Sequence, residues 1–285
     1  MFADAFAAER LRLLRARGVL FWGFLFVPLF GVAAGLINGL FMRFLLQRAG
    51  GQALARAPVD LAGQAIDAIN GANFFVVQLF FMIAAASILA GDYRWETWRL
   101  LTPRNTRANL ILAKLAAFGA AAAVGLLLLA LGGVVAGLIG AALTNAPVEL
   151  TRAGLLPVLR QLAGGFAVSW LEMMALAGVA ACLAVLTRAG LAAMLVPIAV
   201  WIAQAFIVSQ ARGRFADPND PPLVWLAALP ALCADTLRAA VASAAAPLPA
   251  PPHGALAALL FLVLWVAGLA ALAVVLFQRQ DLTRE

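Results

Sequence analysis

Charge is scarce in this sequence. Charged residues make up 12% of the 285 positions, lysine occurs once, at Lys114, and histidine once, at His253. An ordinary globular domain carries about 25% charged residues, so too few polar side chains are present here to cover a water-facing surface. Cysteine is equally rare. Cys182 and Cys233 lack C-x-x-C spacing, and with a single histidine they build no Cys/His metal cluster. The phosphate-cradling pattern G-x-x-x-x-G-K-[ST] is missing too, because Lys114 is followed by Leu115 and preceded by no such glycines. A Walker-type ATPase is therefore excluded. No nucleophile–base constellation for a hydrolase or acyltransferase stands out. These absences leave a scaffold, a channel or a transporter, with any energy supplied by another chain.

What is present is apolar surface: 65% hydrophobic residues and a mean hydropathy of +0.99. Such a chain is solvated mostly by lipid, and at about 20 apolar residues per crossing its length holds roughly five to seven spans with no sizeable soluble domain. The expectation is an all-α membrane protein, one transmembrane domain over 1–285, with spans at 18–42, 73–91, 109–141, 163–187, 189–209 and 254–277. Residues 1–17, with Arg10, Arg12, Arg15 and Arg17, read as a cytoplasmic interfacial helix. The apolar run that follows is too long for a signal h-region and reads as a retained span. Lys114, early in the third span, is expected to snorkel to the headgroups. Residues 223–245, interrupted by Pro230, are too short to cross, and within the outer loop at 210–253 they read as an interfacial or re-entrant helix.

Orientation follows from the basic residues. Pieces 1–17, 92–114, 187–190 and 278–285 carry 12 of them, against 8 in the longer pieces 43–72, 142–162 and 210–253. The positive-inside rule then puts both termini in the cytoplasm and accounts for the net charge of +7 without nucleic acid.

The most specific stretch is 91–114. At helical spacing Asp92, Glu96 and Arg99 share one stripe, while Tyr93, Thr97, Leu100 and Leu101 face the other way. Trp95 and Trp98 suit the headgroup layer, and Thr102 with Pro103 reads as an N-cap and N1 pair for the next helix. A short amphipathic helix along the inner membrane surface is expected between spans two and three.

This stretch resembles the signature of ABC-2-type permeases, the membrane subunits of many bacterial ATP-binding cassette exporters. Asp92, Thr97, Leu100, Leu101, Pro103, Arg107 and Lys114 match by type and order, and the tail Phe277-Gln278-Arg279-Gln280-Asp281-Leu282 is similar to that family's ending. The chain departs at Glu96, where glycine is usual, and in a Leu-Leu-Thr-Pro spacing one residue tighter. The resemblance implies a multi-pass permease of the bacterial inner membrane, paired with a second permease and with two cytoplasmic ATPase subunits. ATP and Mg would bind those partners, with no cofactor in this chain. The helix at Asp92, Tyr93, Glu96, Thr97, Arg99, Leu100 and Leu101 would be the coupling helix docked on the ATPase.

Two other patterns bear on packing and pathway. Gly31, Gly35 and Gly39 form a double G-x-x-x-G in span one, repeated by Gly133 and Gly137 in span three. Small residues allow close helix approach, within one chain or between permeases. Glu172 is the one carboxylate inside an expected span; it pairs with an outer arginine such as Arg160, carries no charge, or faces a polar pathway. Asn38 and Gln78 are further pathway candidates or interhelical hydrogen-bonding residues. The alternative function is a self-contained secondary transporter or channel with Glu172 as its coupling group. Nothing in the spans marks a substrate.

Overall fold

The computed structural model describes residues 2–48, 58–94, 98, 105–152, 154–215, 226, 228–242 and 254–280, and about 91% of these are helical. The helices are α1 (Phe2–Arg15), α2 (Arg17–Arg48), α3 (Leu61–Asn70), α4 (Phe75–Arg94), α5 (Arg107–Thr144), α6 (Leu155–Thr187), α7 (Gly190–Phe215), α8 (Pro230–Ala242) and α9 (Ala255–Arg279). Six of them, α2, α4, α5, α6, α7 and α9, are long and apolar enough to cross a membrane. The protein is thus a multi-pass helical membrane architecture. Two residue pairs, Val59 with Val148 and Asp60 with Glu149, form a short parallel ladder, β1–β2, between the connection from α2 to α3 and that from α5 to α6.

Helix ends follow local chemistry. Asp60 caps α3 by accepting from the Gly63 amide at 3.1 Å, and Thr106 caps α5 by accepting from the Asn109 amide at 3.3 Å. The expected cap at Thr102 and Pro103 lies outside the described residues; α5 starts at Arg107. Left-handed Asn145 and Arg188 end α5 and α6. Arg188 makes the turn from α6 into α7 only two residues long.

The spans differ in depth. The apolar window of α6 is 72% buried within the protein and that of α4 56%, whereas α9 is only 11% buried. The centre is therefore α4 and α6, ringed by α2, α7 and α9, with α5 running along several partners. Phe81, Met82, Phe118, Leu126 and Met173 fill this core. Phe24 meets Phe81 edge to face at 5.5 Å, where a π-helical turn at Phe21–Leu25 sets Gly23 against Ala84.

Two non-crossing helices pack at one end of this bundle. The stretch 43–72, expected as a loop, contains α3, which rests Ala65 and Ile69 against α5 and α6. The other is α8, seated on α6, α7 and α9. At the opposite end the first and last helices, α1 and α9, both pack on α5. Tyr93 Oη donates to Gln280 Oε1 at 3.0 Å, and α1 lies along the start of α5.

Candidate functional site

At the termini end, four charged side chains from three helices close into a ring. Glu9 comes from the inner face of α1, whose buried positions Ala5, Glu9 and Leu13 recur every four residues. Asp92 continues the buried stripe of Ala85 and Leu89 on α4. Lys114 sits two turns into α5, 2% exposed. Its Nζ lies 2.8 Å from Asp92 Oδ2 and 3.3 Å from Glu9 Oε2, and donates at 2.8 Å to the Ile88 carbonyl. Arg12 Nη1 spans the other two carboxylate oxygens, at 3.1 Å from Glu9 Oε1 and 3.2 Å from Asp92 Oδ1. Two anions and two cations cancel, which lets Glu9, Asp92 and Lys114 stay buried while Arg12 remains 45% exposed. Beside the ring lies a cavity of about 330 Å³ whose lining includes Glu9, Arg12, Leu13, Ser87, Asp92 and Lys114.

Around the ring the chain ends are tied to the same place. Trp98 is buried, its ring 4.4 Å from Phe277 and 5.5 Å from Tyr93, with the Lys114 ammonium 5.4 Å over it. Arg107 donates to the carbonyls of Phe277, Gln278 and Gln280 at 2.7–3.0 Å, satisfying the open C-terminal turn of α9. Gln280 Nε2 in turn donates to Val185 O of α6.

This geometry corrects three expectations. Lys114 does not snorkel: two carboxylates from other helices satisfy it in place. Asp92 does not belong to an outward docking stripe, because its carboxylate is turned inward to Lys114 and Arg12. Trp98 is turned inward rather than out toward headgroups, packed against Phe277 and Tyr93. Tyr93 is half-buried and bonded to the tail. Glu96, Thr97, Arg99, Leu100 and Leu101 lie outside the described residues. The missed partner is Glu9, a carboxylate on the apolar side of α1, where its spacing with Ala5 and Leu13 was the available signal.

The remaining candidates scatter. Glu172 pairs with Arg238 of α8 at 2.5 Å; Arg160 instead donates to the Ala240 carbonyl at 2.7 Å. Gln78 is buried, its Nε2 donating to Ala72 O at 3.1 Å. Asn38 is exposed on the outer face of α2. These residues do not form one pathway. Four of the five glycines make contacts within the chain. A Cβ on Gly35 would come within 2.5 Å of Ala136 Cβ, and one on Gly39 within 2.8 Å of Leu143 Cδ1, so both seat α2 on α5. Gly133 and Gly137 likewise admit Gln64 of α3 to the surface of α5, while Gly31 faces open space.

No nucleophile–base pair forms at the ring, and no group of three His, Cys, Asp or Glu side chains fit for a metal occurs among the described residues. The arrangement is chemically a joint. It fixes α1, α4, α5 and α9 to one another at the two points where the chain leaves α4 and enters α5. The sequence matches no known family model and no curated protein.

Proposed function

We propose that this chain is the membrane-spanning permease subunit of an ATP-driven transporter of the ABC-2 type, an exporter of the bacterial inner membrane with both termini in the cytoplasm. Two cytoplasmic ATP-binding cassette subunits would hydrolyse ATP with Mg, and a second permease, identical or related, would complete the pathway. The observation that supports this reading is convergence. Asp92, Arg107, Lys114 and Phe277, all among the residues that carry the resemblance, meet in the joint at the termini end. Asp92, Arg107 and Lys114 flank one turn and lie together in any such pair of helices, so the weight falls on Phe277, which reaches them from the far end of the chain.

The joint also fits the mechanical need. In this reading residues 95–104 dock on the ATPase, with Glu96 and Arg99 as the charged contacts. The flanks of that segment are anchored by Asp92 and Tyr93 on one side and Arg107 on the other. Force applied there reaches α1, α4, α5 and α9 together, because interlocked buried groups shift as a unit rather than deform singly. The alternative reading, a secondary transporter coupled through Glu172, is less favoured because that carboxylate is already matched by Arg238. Gentle purification from native membranes, followed by mass spectrometry of what stays bound, tests the proposal. An ATP-binding cassette subunit in stoichiometric amount is the expected result. Transport by the purified chain alone in ATP-free vesicles would overturn it.

A further inference from the structure

At the end of the bundle opposite the joint, α8 is held by polar contacts at three levels. At its start the Ala231 amide donates to Gln204 Oε1 at 3.1 Å, and just before it Trp265 Nε1 donates to the Ala228 carbonyl at 2.7 Å. At its far end Arg160 and Gln161 of α6 donate to the carbonyls of Ala240 and Ala242. Between these levels lies the Glu172–Arg238 pair, with Asp235 3.6 Å from Arg238 Nη1. The apolar contacts of α8 are separate from the main core. Cys233, Ala234 and Leu237 cluster with Val168, Ala258 and Leu262, and Leu232 clusters with Val208 and Leu226. Removing α8 would leave the Phe81–Phe118–Met173 core unbroken.

The pair itself is incompletely satisfied. Glu172 is 3% exposed, yet its Oε1 has no hydrogen-bond partner, and neither has Arg238 Nε. A buried charged group left short of partners carries a desolvation cost that water would remove. The seated position of α8 is thus favoured by packing and by the pair, and opposed by these orphaned atoms. A helix whose apolar contacts are its own, apart from the main core, is the kind of element that moves as a unit.

We propose that α8 is a plug, latched by Glu172 and Arg238, that lifts as a unit from α6 and α9 to admit water to the interior of the bundle. In the lifted position Glu172 and Arg238 both face water, and Glu172 becomes the first charged group met on the way in. The proposal stands apart from the permease reading, since it needs no ATPase.

Cys233 serves as the reporter, because it lies on α8 and is 0% exposed when the helix is seated. In detergent-solubilised protein carrying Cys182→Ala, reaction of Cys233 with a small water-soluble maleimide, followed by peptide mass spectrometry, measures lifting. Glu172→Gln unlatches the plug and should raise the rate at least about tenfold, given what breaking a buried pair costs. A second variant leaves the pair intact. In Gly164→Cys/Val241→Cys a Cβ at position 164 would stand 3.2 Å from that of 241, close to the roughly 3.5–4.5 Å of a disulfide. When oxidised it should stop Cys233 labelling, and reductant should restore it. An unchanged rate in folded Glu172→Gln overturns the latch. Should Glu172→Gln fail to fold, the cross-link decides alone: equal labelling of its oxidised and reduced forms overturns the plug.

Discussion

Lys114 holds three acceptors on two other helices, α1 and α4, and removing it leaves the Glu9 and Asp92 carboxylates buried with Arg12 as their one remaining cation in the ring. Lys114→Met is expected to cost about 3–5 kcal/mol, as for other broken buried pairs. Lys114→Met combined with Asp92→Leu should recover most of it, since the Glu9–Arg12 pair survives and no charge is stranded. Thermal unfolding in detergent separates the two outcomes, and equal losses in both variants would place the stability elsewhere. Cys233 offers a second test. Burial pushes its thiol up to about 11 from an ordinary value of 9, so the folded protein prefers the protonated form. Its contribution is complete below pH 9 and is lost as pH rises through 11. The melting temperature of the wild type should fall more steeply over that window than that of Cys233→Ala, and parallel curves would deny the effect. The sequence made Lys114 and Asp92 conspicuous but not their union. A helical stripe through Asp92, Glu96 and Arg99 was equally compatible with an outward face, and only the stripe of Ala85, Leu89 and Asp92 pointed inward. Choosing between them requires knowing which neighbour fills the far side.

The crossing helices were legible because a run of about 20 apolar residues is a statement about lipid and needs no tertiary partner. All six expected spans overlap the long helices, with the ends displaced where helices such as α5 and α6 extend past the hydrocarbon-length runs. The short helices were harder. Packing on α5 and α6 adds to the Asp60 cap in making α3 a helix, and its signal was a weak one, that cap with Ala65 and Ile69 four apart. The α8 helix was visible as a stretch too short to cross, but its match of Arg238 to Glu172 was not, because 66 residues separate them. The glycine pattern was legible as a close approach and silent about the partner, which turned out to be α5. Gly35→Leu should therefore destabilise the single chain by about 1–3 kcal/mol through overpacking, whereas Gly31→Leu should be tolerated. A melting temperature unchanged in Gly35→Leu would mean that α2 and α5 are not seated as described.

For the whole molecule, the permease reading separates two charges that the sequence alone treats alike. Glu96→Arg should release the ATPase without lowering the melting temperature, since unpaired interface charges cost about 2–5 kcal/mol. Asp92→Arg should lower the melting temperature first, because it faces Lys114 and Arg12 within the chain. Full ATPase retention in Glu96→Arg would move the contact off this segment. The ring that Asp92 belongs to also sets a timetable for biogenesis. Glu9 leaves the ribosome 105 residues ahead of Lys114, an interval of about 5–20 s at ordinary rates of elongation. Until then its carboxylate has only Arg12 and the headgroup layer for company. Lys114 in turn follows Asp92 into the membrane on the next helix, so insertion of α4 and α5 as a hairpin brings each charge in with its counter-ion. Closure of the ring on the waiting α1 would then lock that helix to the α4–α5 hairpin before α6 has joined it in the bilayer.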